Sequence, residues 1–168
     1  NFASMRDATQ SQMAELKQRV ERLLRITNNM TDVVYTVDLN LNTTYVSPSV
    51  EQLLGFTPEE YRKRSPQERY TPESLRIISE VLAQEMALES DPSADPNRSR
   101  VMEIEEYHRN GSLVTVSNHA KFIRDLSGAP IGFQGVTRDI TEIRRVQKEQ
   151  EKLKERLHQS QKMEAIGQ

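Results

Sequence analysis

The stretch VVYTVDLNLNTTYVSPSVEQLLGFTPEEY, from Val33 to Tyr61, decides most of the fold prediction. Two runs rich in β-branched and aromatic residues, Val33–Val37 and Thr43–Val46, flank a segment of Asp and Asn residues that favour turns. This pattern predicts an antiparallel β-hairpin. A short helix is predicted to follow over Ser49–Leu54 and to end at Gly55.

Two further helix starts follow this hairpin. Each combines a threonine that can cap a helix, a proline at the first helical position and acidic residues in the first turn, and they begin at Thr57 and Thr71. The second helix is predicted to be the longer one, because apolar residues recur on one of its faces as far as Leu88. The segment SDPSADPNRS, residues 90–99, has the composition of an exposed loop.

Three more strands are predicted at Val101–Arg109, Leu113–Arg124 and Pro130–Asp139. Asn110-Gly111 separates the first two, and it is a strong hairpin signal because both residues can adopt a positive φ. With the first hairpin, these strands predict an antiparallel sheet in an α+β fold.

Asn118 is the one polar side chain on an otherwise apolar face of the strand Leu113–Arg124. The apolar members of that face are Val114, Val116, Ala120 and Phe122. A buried amide must form hydrogen bonds, so Asn118 is predicted either to hold the backbone in place or to recognise a polar group of a ligand.

Both ends of the chain carry residues at alternating steps of three and four, which is the spacing of a coiled-coil seam. In residues 1–30 these are Met13, Leu16, Val20, Leu23, Thr27 and Met30, and in residues 142–168 they are Ile143, Val146, Gln150, Leu153, Leu157 and Ser160. The N-terminal stripe could pack on its own domain or on a second copy of the chain. The C-terminal helix has too little apolar surface to pack on a globular domain, so the apolar stripe residues predict a homodimer.

The composition argues against several classes of function. A net charge of −2 and a pI near 6.0 create no field that would attract nucleic acid or an anionic membrane. The absence of cysteine excludes disulfides, thiolate catalysis and thiol-linked chromophores. No run approaches the roughly 18 apolar residues of a membrane-spanning helix. We expect a cytoplasmic protein whose core is small for its length.

The predicted order of elements resembles that of the PAS sensory domain. Three motifs carry the resemblance: the opening stretch, the hairpin YHRNGSLVTVS and the segment GFQGVTRDITE, in which Asp139-Ile140-Thr141 resembles the exit triplet of the family. The resemblance spans about Leu24 to Thr141 and places a PAS domain at residues 31–141. It implies a five-stranded antiparallel sheet with short helices on one face, flanked by coiled-coil helices.

The last residues, HQSQKMEAIGQ, are similar to the segment that precedes the phospho-acceptor histidine of sensor histidine kinases. His158 lies upstream of that motif and is not the acceptor in this interpretation. The missing initiator Met and the uncapped final helix predict a piece of a longer protein. The resemblance implies a sensing module of a two-component histidine kinase, which catalyses nothing by itself and whose partners include a response regulator. Two alternatives stay open: a ligand-free PAS module for dimerisation or protein interaction, and the PAS sensor of a cyclic-dinucleotide enzyme.

The PAS resemblance also implies a small cavity between sheet and helices, with a small molecule as its ligand. The residues predicted to bind that ligand are Tyr35, Leu54, Phe56, Tyr61, Ile78, Leu82, Asn118, Phe122 and Phe133. At the exit, Thr141 is expected to cap the outgoing helix, and Asp139 to pair with Arg138, Arg144 or a donor in the core.

The cofactor is left open by the sequence. Haem-binding relatives use a histidine of the longer helix, and residues 73–90 contain none, so protohaem is disfavoured. A flavin bonded through cysteine is excluded by composition. His108 and His119 fall on different predicted strands without a carboxylate at ligand spacing, so no metal site is predicted. No glycine-rich nucleotide loop, pair of catalytic carboxylates or nucleophile triad is present, so no catalytic residue is predicted.

Overall fold

The computed structural model describes residues 1–29 and 31–167, and it describes the side chains of residues 1–23 and 31–167. Within these residues the elements are α1 (Phe2–Asn29), β1 (Val33–Asp38), β2 (Thr43–Val46), α2 (Val50–Leu54), α3 (Pro58–Arg62), α4 (Pro66–Arg69), α5 (Pro72–Leu88), β3 (Arg100–Tyr107), β4 (Leu113–Arg124), β5 (Pro130–Asp139) and α6 (Thr141–Gly167). The predicted α+β fold with a five-stranded antiparallel sheet and a long C-terminal helix is confirmed.

The strand order of the sheet is β2-β1-β5-β4-β3, so the last strand lies in the centre. Val33 at the start of β1 pairs with Thr137 near the end of β5. The end of α1 and the start of α6 therefore meet the sheet at the same end. An ion pair of 2.9 Å between Arg138 Nη2 and Asp32 Oδ2 joins the two places.

The three hairpin turns share one hydrogen-bond pattern. They begin at Asp38, His108 and Asp125, and in each the backbone N–H of the first residue donates to the carbonyl four positions later. The fourth residue has a positive φ: 66° at Leu41, 87° at Gly111 and 85° at Gly128. The expectation that Asn110 also adopts a positive φ is wrong, because this loop is longer than a two-residue turn and only its glycine needs that conformation.

Three of the four helices between β2 and β3 begin at hydroxyl caps. The side chains of Thr57, Ser65 and Thr71 each accept a hydrogen bond from a backbone N–H three residues later. The starts at Thr57 and Thr71 are confirmed. The start at Ser65 was missed, because the four-residue helix α4 is too short to show helical periodicity.

The core lies between the helices and one face of the sheet. Along β4, Val114, Val116, Asn118 and Phe122 are buried, which confirms the predicted inward face. Val50, Leu54 and Val116 are among the most deeply buried side chains. Asn118 is thus a buried amide on an apolar face.

The side chains of α1 and α6 that form the two stripes are exposed in the single chain. These are Met13, Leu16, Val20, Leu23, Ile143, Val146, Leu153 and Leu157. Packing of the N-terminal stripe on its own domain is not seen for Met13, Leu16 and Val20, which are 67%, 62% and 48% exposed. Met30 and the side chain of Thr27 lie outside the described residues. In the described part of the chain, no helix is both long enough and apolar enough to cross a membrane.

Candidate functional site

A cavity lies between the inner face of the sheet and α5. Side chains of β1, β3, β4, β5 and α5 form its wall, together with Leu41, Arg69 and Tyr70. Its volume is about 70 Å³. Pockets for drug-sized ligands typically measure roughly 300–1,000 Å³. A ligand that fits without rearrangement of the helices must therefore be small.

Six of the nine residues predicted to bind a ligand line this cavity: Tyr35, Ile78, Leu82, Asn118, Phe122 and Phe133. The rings of Phe122 and Phe133 are stacked, with centroids 4.8 Å apart. These residues come from α5 and three strands, and the fold brings them together. Their contact with a ligand stays a prediction.

The other three predicted residues do not line the cavity. Leu54 is buried in the core at the end of α2. The ring of Phe56 lies between two guanidinium groups, with the Cζ of Arg64 at 4.0 Å and that of Arg109 at 5.1 Å from its centroid. Tyr61 is buried, but its hydroxyl donates to the carboxyl of Glu106, which does not line the cavity. Their side chains therefore support the wall and do not face the cavity.

Twelve of the 18 residues that line the cavity were not predicted from the sequence, and two of them, Leu41 and Arg69, show why. Leu41 lies in the first hairpin turn, where only its positive φ distinguishes it from the other turn residues. Arg69 ends α4 and lies in a polar run that is typical of an exposed segment. The start signal at Ser65 could have placed Arg69 on a helix, but its burial follows only from tertiary packing.

Asn118 on β4 makes its hydrogen bonds to side chains of β5, the neighbouring strand, and of β1, the strand beyond it. Its Oδ1 accepts from the hydroxyl of Tyr35 at 2.6 Å, and its Nδ2 donates to the hydroxyl of Thr137 at 3.2 Å. Burial raises the pKa of Tyr35 to about 12, so this hydroxyl stays protonated and remains a donor. The network links the cavity wall in β1 and β4 to the end of β5.

A buried polar cluster adjoins the cavity, and its member Arg69 is part of the cavity wall. Arg69 donates from Nη1 to the hydroxyl of Thr43 at 2.9 Å and from Nη2 to the carbonyl of Leu41 at 2.5 Å. The hydroxyl of Tyr61 donates to the carboxyl of Glu106 at 3.1 Å. Burial raises the pKa of Glu106 to about 7, although the nearby Arg69 and the hydrogen bond from Tyr61 oppose the shift. This carboxyl therefore changes its charge near neutral pH.

An ion-pair network borders the cavity at Glu85, Arg98 and Arg100. Glu85 accepts hydrogen bonds from Arg98 at 2.5 Å and from Arg100 at 3.0 Å. Glu89 accepts from Arg98 at 2.9 Å and from Arg124 at 2.7 Å, and these two arginines lower the pKa of Glu89 to about 2. The network joins α5 to the loop that follows it and to two strands.

At the exit of the domain, Asp139 caps α6. Its Oδ1 accepts a hydrogen bond from the backbone N–H of Thr141 at 2.9 Å. The predicted pairing of Asp139 with Arg138 or Arg144 is wrong, because both arginines pair with other carboxylates. The end of β5 thus fixes the first turn of the helix.

Thr141 anchors α6 to β4. Its hydroxyl accepts a hydrogen bond from the backbone N–H of Thr115 at 3.2 Å and lies 3.4 Å from the carbonyl of the same residue. The expectation that the side chain of Thr141 caps the helix is therefore wrong. Ile140, which lies between Asp139 and Thr141 in the chain, is buried. The start of α6 is attached to both central strands of the sheet.

Gly135 allows Tyr35 to reach Asn118. A Cβ at Gly135 would lie 2.6 Å from the Tyr35 hydroxyl and 2.7 Å from the carbonyl of His119. We expect Gly135→Ala to lower the free energy of unfolding by about 1–3 kcal/mol, the usual cost of overpacking. Urea denaturation measures this loss in the free energy of unfolding. Gly167→Ala is the control, since a Cβ there meets nothing within 4 Å, and equal losses in both variants would contradict the prediction.

Of the two histidines considered as metal ligands, His108 lies in the turn after β3 and His119 lies on β4. His119 Nε2 lies 2.8 Å from the hydroxyl of Ser99, and His108 Nδ1 accepts from the backbone N–H of Asn110 at 3.1 Å. Among the residues that the structure describes, no group of three or more His, Cys, Asp and Glu side chains could hold a metal ion.

A comparison with family models matches residues 27–145 to the model described as PAS fold. The match covers more than half of the chain and includes the whole sheet and the cavity. The chain belongs to the PAS family. The family named from the motifs is thus confirmed, and a PAS domain is a signal-sensing module that is not itself catalytic.

Solved PAS domains share this fold. A PAS domain from Colwellia psychrerythraea is 20% identical, with 76% of this chain and 98% of that chain covered and a TM-score of 0.60. A sensory box histidine kinase/response regulator from Burkholderia thailandensis is 17% identical, with 77% and 92% covered and a TM-score of 0.55. The N-terminal domain of a diguanylate cyclase with a PAS/PAC sensor from Marinobacter aquaeolei is 18% identical, with 67% and 98% covered and a TM-score of 0.52. These identities establish the fold only. A search of functionally curated proteins gave no match.

Proposed function

We propose that this PAS domain senses a small molecule in its cavity and passes a conformational change through a dimeric coiled coil to a histidine kinase. The observation that supports this proposal is a pair of hydrogen bonds that connects the cavity wall to α6 through the end of β5. Asn118 lines the cavity and donates to Thr137 on β5, and two residues later Asp139 caps α6. A change in the cavity can therefore alter the start of the outgoing helix.

The two anchors of α6 make it sensitive to movement between β4 and β5. Asp139 belongs to β5, whereas Thr141 holds the backbone of Thr115 on β4. A shift of one strand against the other changes the angle at which the helix leaves the sheet. A ligand drives such a shift only to the extent that it binds one arrangement more tightly than the other.

The kinase assignment is supported by the C-terminal segment. Residues 158–167 continue α6 and have the sequence that resembles the approach to a phospho-acceptor helix. The domain would then act on a kinase in the same protein, and through it on a response regulator. We place the module in the cytoplasm, because such a kinase needs ATP.

The homodimer is supported by the exposed apolar stripes. Ile143, Val146, Leu153 and Leu157 follow one face of α6 and are 40–59% exposed in the single chain. Met13, Leu16 and Val20 form a similar stripe on α1. A second copy of the chain offers the same stripes and can cover them in a coiled coil.

Two other functions have a specific observation in their favour. The small cavity, about 70 Å³, favours a ligand-free module for dimerisation or protein interaction. The similarity to a domain of a diguanylate cyclase favours the sensor of a cyclic-dinucleotide enzyme. The first alternative predicts that changes in the cavity leave α6 unaffected.

A spin-label experiment tests the sensing function. The chain contains no cysteine, so Glu155→Cys on the outer face of α6 gives a single label per protomer. Leu82→Trp fills the cavity, and we expect it to shift the distance between the two labels by about 1–2 Å, the size of typical helix shifts in signalling. Pulsed electron resonance measures this distance.

Two further variants make the result specific. Leu126→Trp is the matched control, because Leu126 is fully exposed in a turn and does not line the cavity. Asp139→Ala removes the cap, and in that background the Leu82→Trp shift should be lost. A distance that responds equally to both tryptophans, or to neither, would contradict sensing through the exit.

A further inference from the structure

Arg69 is a buried cation in the cavity wall with unused binding capacity. It is 2% exposed, and its Nη atoms donate only to uncharged acceptors, on Thr43, Leu41 and Tyr61. Its Nε is buried without a hydrogen-bond partner. A buried charge is costly unless it is paired, so a bound anion would stabilise this guanidinium.

The carboxyl of Glu106 does not fill this role. It meets Arg69 only through the hydroxyl of Tyr61, which lies 3.1 Å from the carboxyl and 3.5 Å from Arg69 Nη1. Among the described residues, Arg69 forms no ion pair with a carboxylate. The positive charge in this part of the wall is therefore not directly neutralised.

The other cations of the wall differ from Arg69 in this respect. Arg98 and Arg100 both pair with Glu85, which lines the same end of the cavity. Lys121 lies at the wall with an exposed side chain. Arg69 thus combines burial, an unused donor and the lack of a carboxylate partner.

The rest of the wall is mostly apolar. Aliphatic side chains of α5, among them Ile78 and Leu82, line it together with the stacked rings of Phe122 and Phe133. The polar groups of Tyr35 and Asn118 are already bonded to each other. A ligand therefore needs one anionic group and a small apolar body.

We infer that the cavity binds a small monocarboxylate, whose carboxylate accepts a hydrogen bond from Nε of Arg69 and whose apolar body packs against α5 and the sheet. This inference rests on the proposed sensing function and names the chemical class of its ligand. The small cavity volume sets the size of the ligand, and the guanidinium sets its charge.

Calorimetry of the intact chain with matched pairs of probes tests the inference. The probes are butyrate, hexanoate and benzoate, each paired with its neutral amide. We expect at least one carboxylate to bind and to be roughly 10–100-fold tighter than its amide, as for a hydrogen bond to a charged group. Leu82→Trp should abolish this binding, because it fills the cavity.

Arg69→Met removes the charge at similar volume and should abolish the preference for carboxylate over amide. Arg100→Met is the matched control, since Arg100 already pairs with Glu85 and its loss should leave the preference intact. Should Arg69→Met fail to fold, the Nε–H resonance of Arg69 in the unaltered chain gives the same information. This resonance should shift when the carboxylate is added and should stay unchanged when the amide is added.

The inference is overturned if no carboxylate binds, if each amide binds as tightly as its carboxylate, or if binding survives Leu82→Trp. None of these results affects the Glu155→Cys experiment, which uses no ligand. Conversely, carboxylate binding together with an unresponsive α6 would support the ligand class and contradict the sensing function.

Discussion

We expect the Glu106→Gln variant to lose most of the pH dependence of stability that the unaltered chain shows between about pH 4.5 and 7. Burial raises the pKa of Glu106 from 4.5 to about 7. In this window the unfolded chain releases the proton and the folded chain keeps it, so stability falls as the pH rises and levels off above the folded pKa. A shift of this size corresponds to roughly 3 kcal/mol.

The effect depends on the groups that face Glu106. The titratable and charged side chains around it are Tyr35, Tyr61, Arg64, Arg69 and Tyr70. Burial raises the pKa of each of the three tyrosines, so none of these tyrosines titrates in the same window. Glutamine keeps an oxygen that can accept the hydrogen bond from Tyr61.

Urea denaturation of the two chains over a range of pH measures the effect. The free energy of unfolding of the variant minus that of the unaltered chain should rise by about 2–3 kcal/mol between pH 5 and pH 8. Glu105→Gln is the control: it makes the same change one residue earlier, where the side chain faces the other side of the sheet, and should keep the slope of the unaltered chain. Parallel curves for Glu106→Gln and the unaltered chain would disprove the prediction.

The sheet could be predicted because its signals are local. Three strands, Thr43–Val46, Leu113–Arg124 and Pro130–Asp139, have the predicted bounds, since turn residues flank alternating apolar runs. The inward face of β4 followed from the same alternation. The turn at Asn110 was predicted with the wrong conformation, because its loop length is set by strand pairing and not by the dipeptide.

The buried polar cluster could not be predicted for a different reason. In the sequence, Glu106 and Arg69 have the charge of surface residues. They are buried only because α3 and α4 pack over the sheet. The exit shows the same limit. Threonine is a residue type that often caps helices. At Thr141, however, the pairing of β4 with β5 brings the backbone of Thr115 close, and the Thr141 hydroxyl bonds to that backbone instead. Side chains whose role depends on contacts distant in sequence leave no local pattern.

The largest effect we expect concerns the dimer, and it comes from the double substitution Leu153→Gln and Leu157→Gln. Both side chains lie on the stripe of α6 and are 59% and 57% exposed in the single chain. Burial of each leucine in a coiled coil contributes roughly 1.5–3 kcal/mol, and a dimer contains each of them twice. The dissociation constant should therefore rise by at least about 1,000-fold.

Sedimentation equilibrium of the two proteins over a range of concentrations measures this change. The control is Lys152→Gln with Glu155→Gln, which puts two glutamines on the outer face of the same helix and leaves the net charge unchanged. We expect the control to remain dimeric where the stripe variant is monomeric, because only the stripe variant removes apolar surface from the seam. Equal dissociation constants for the two variants, or an unaltered chain that stays monomeric, would show that α6 does not pair along this stripe. The helix would then lack the partner that it needs to carry a change from Asp139 to a kinase.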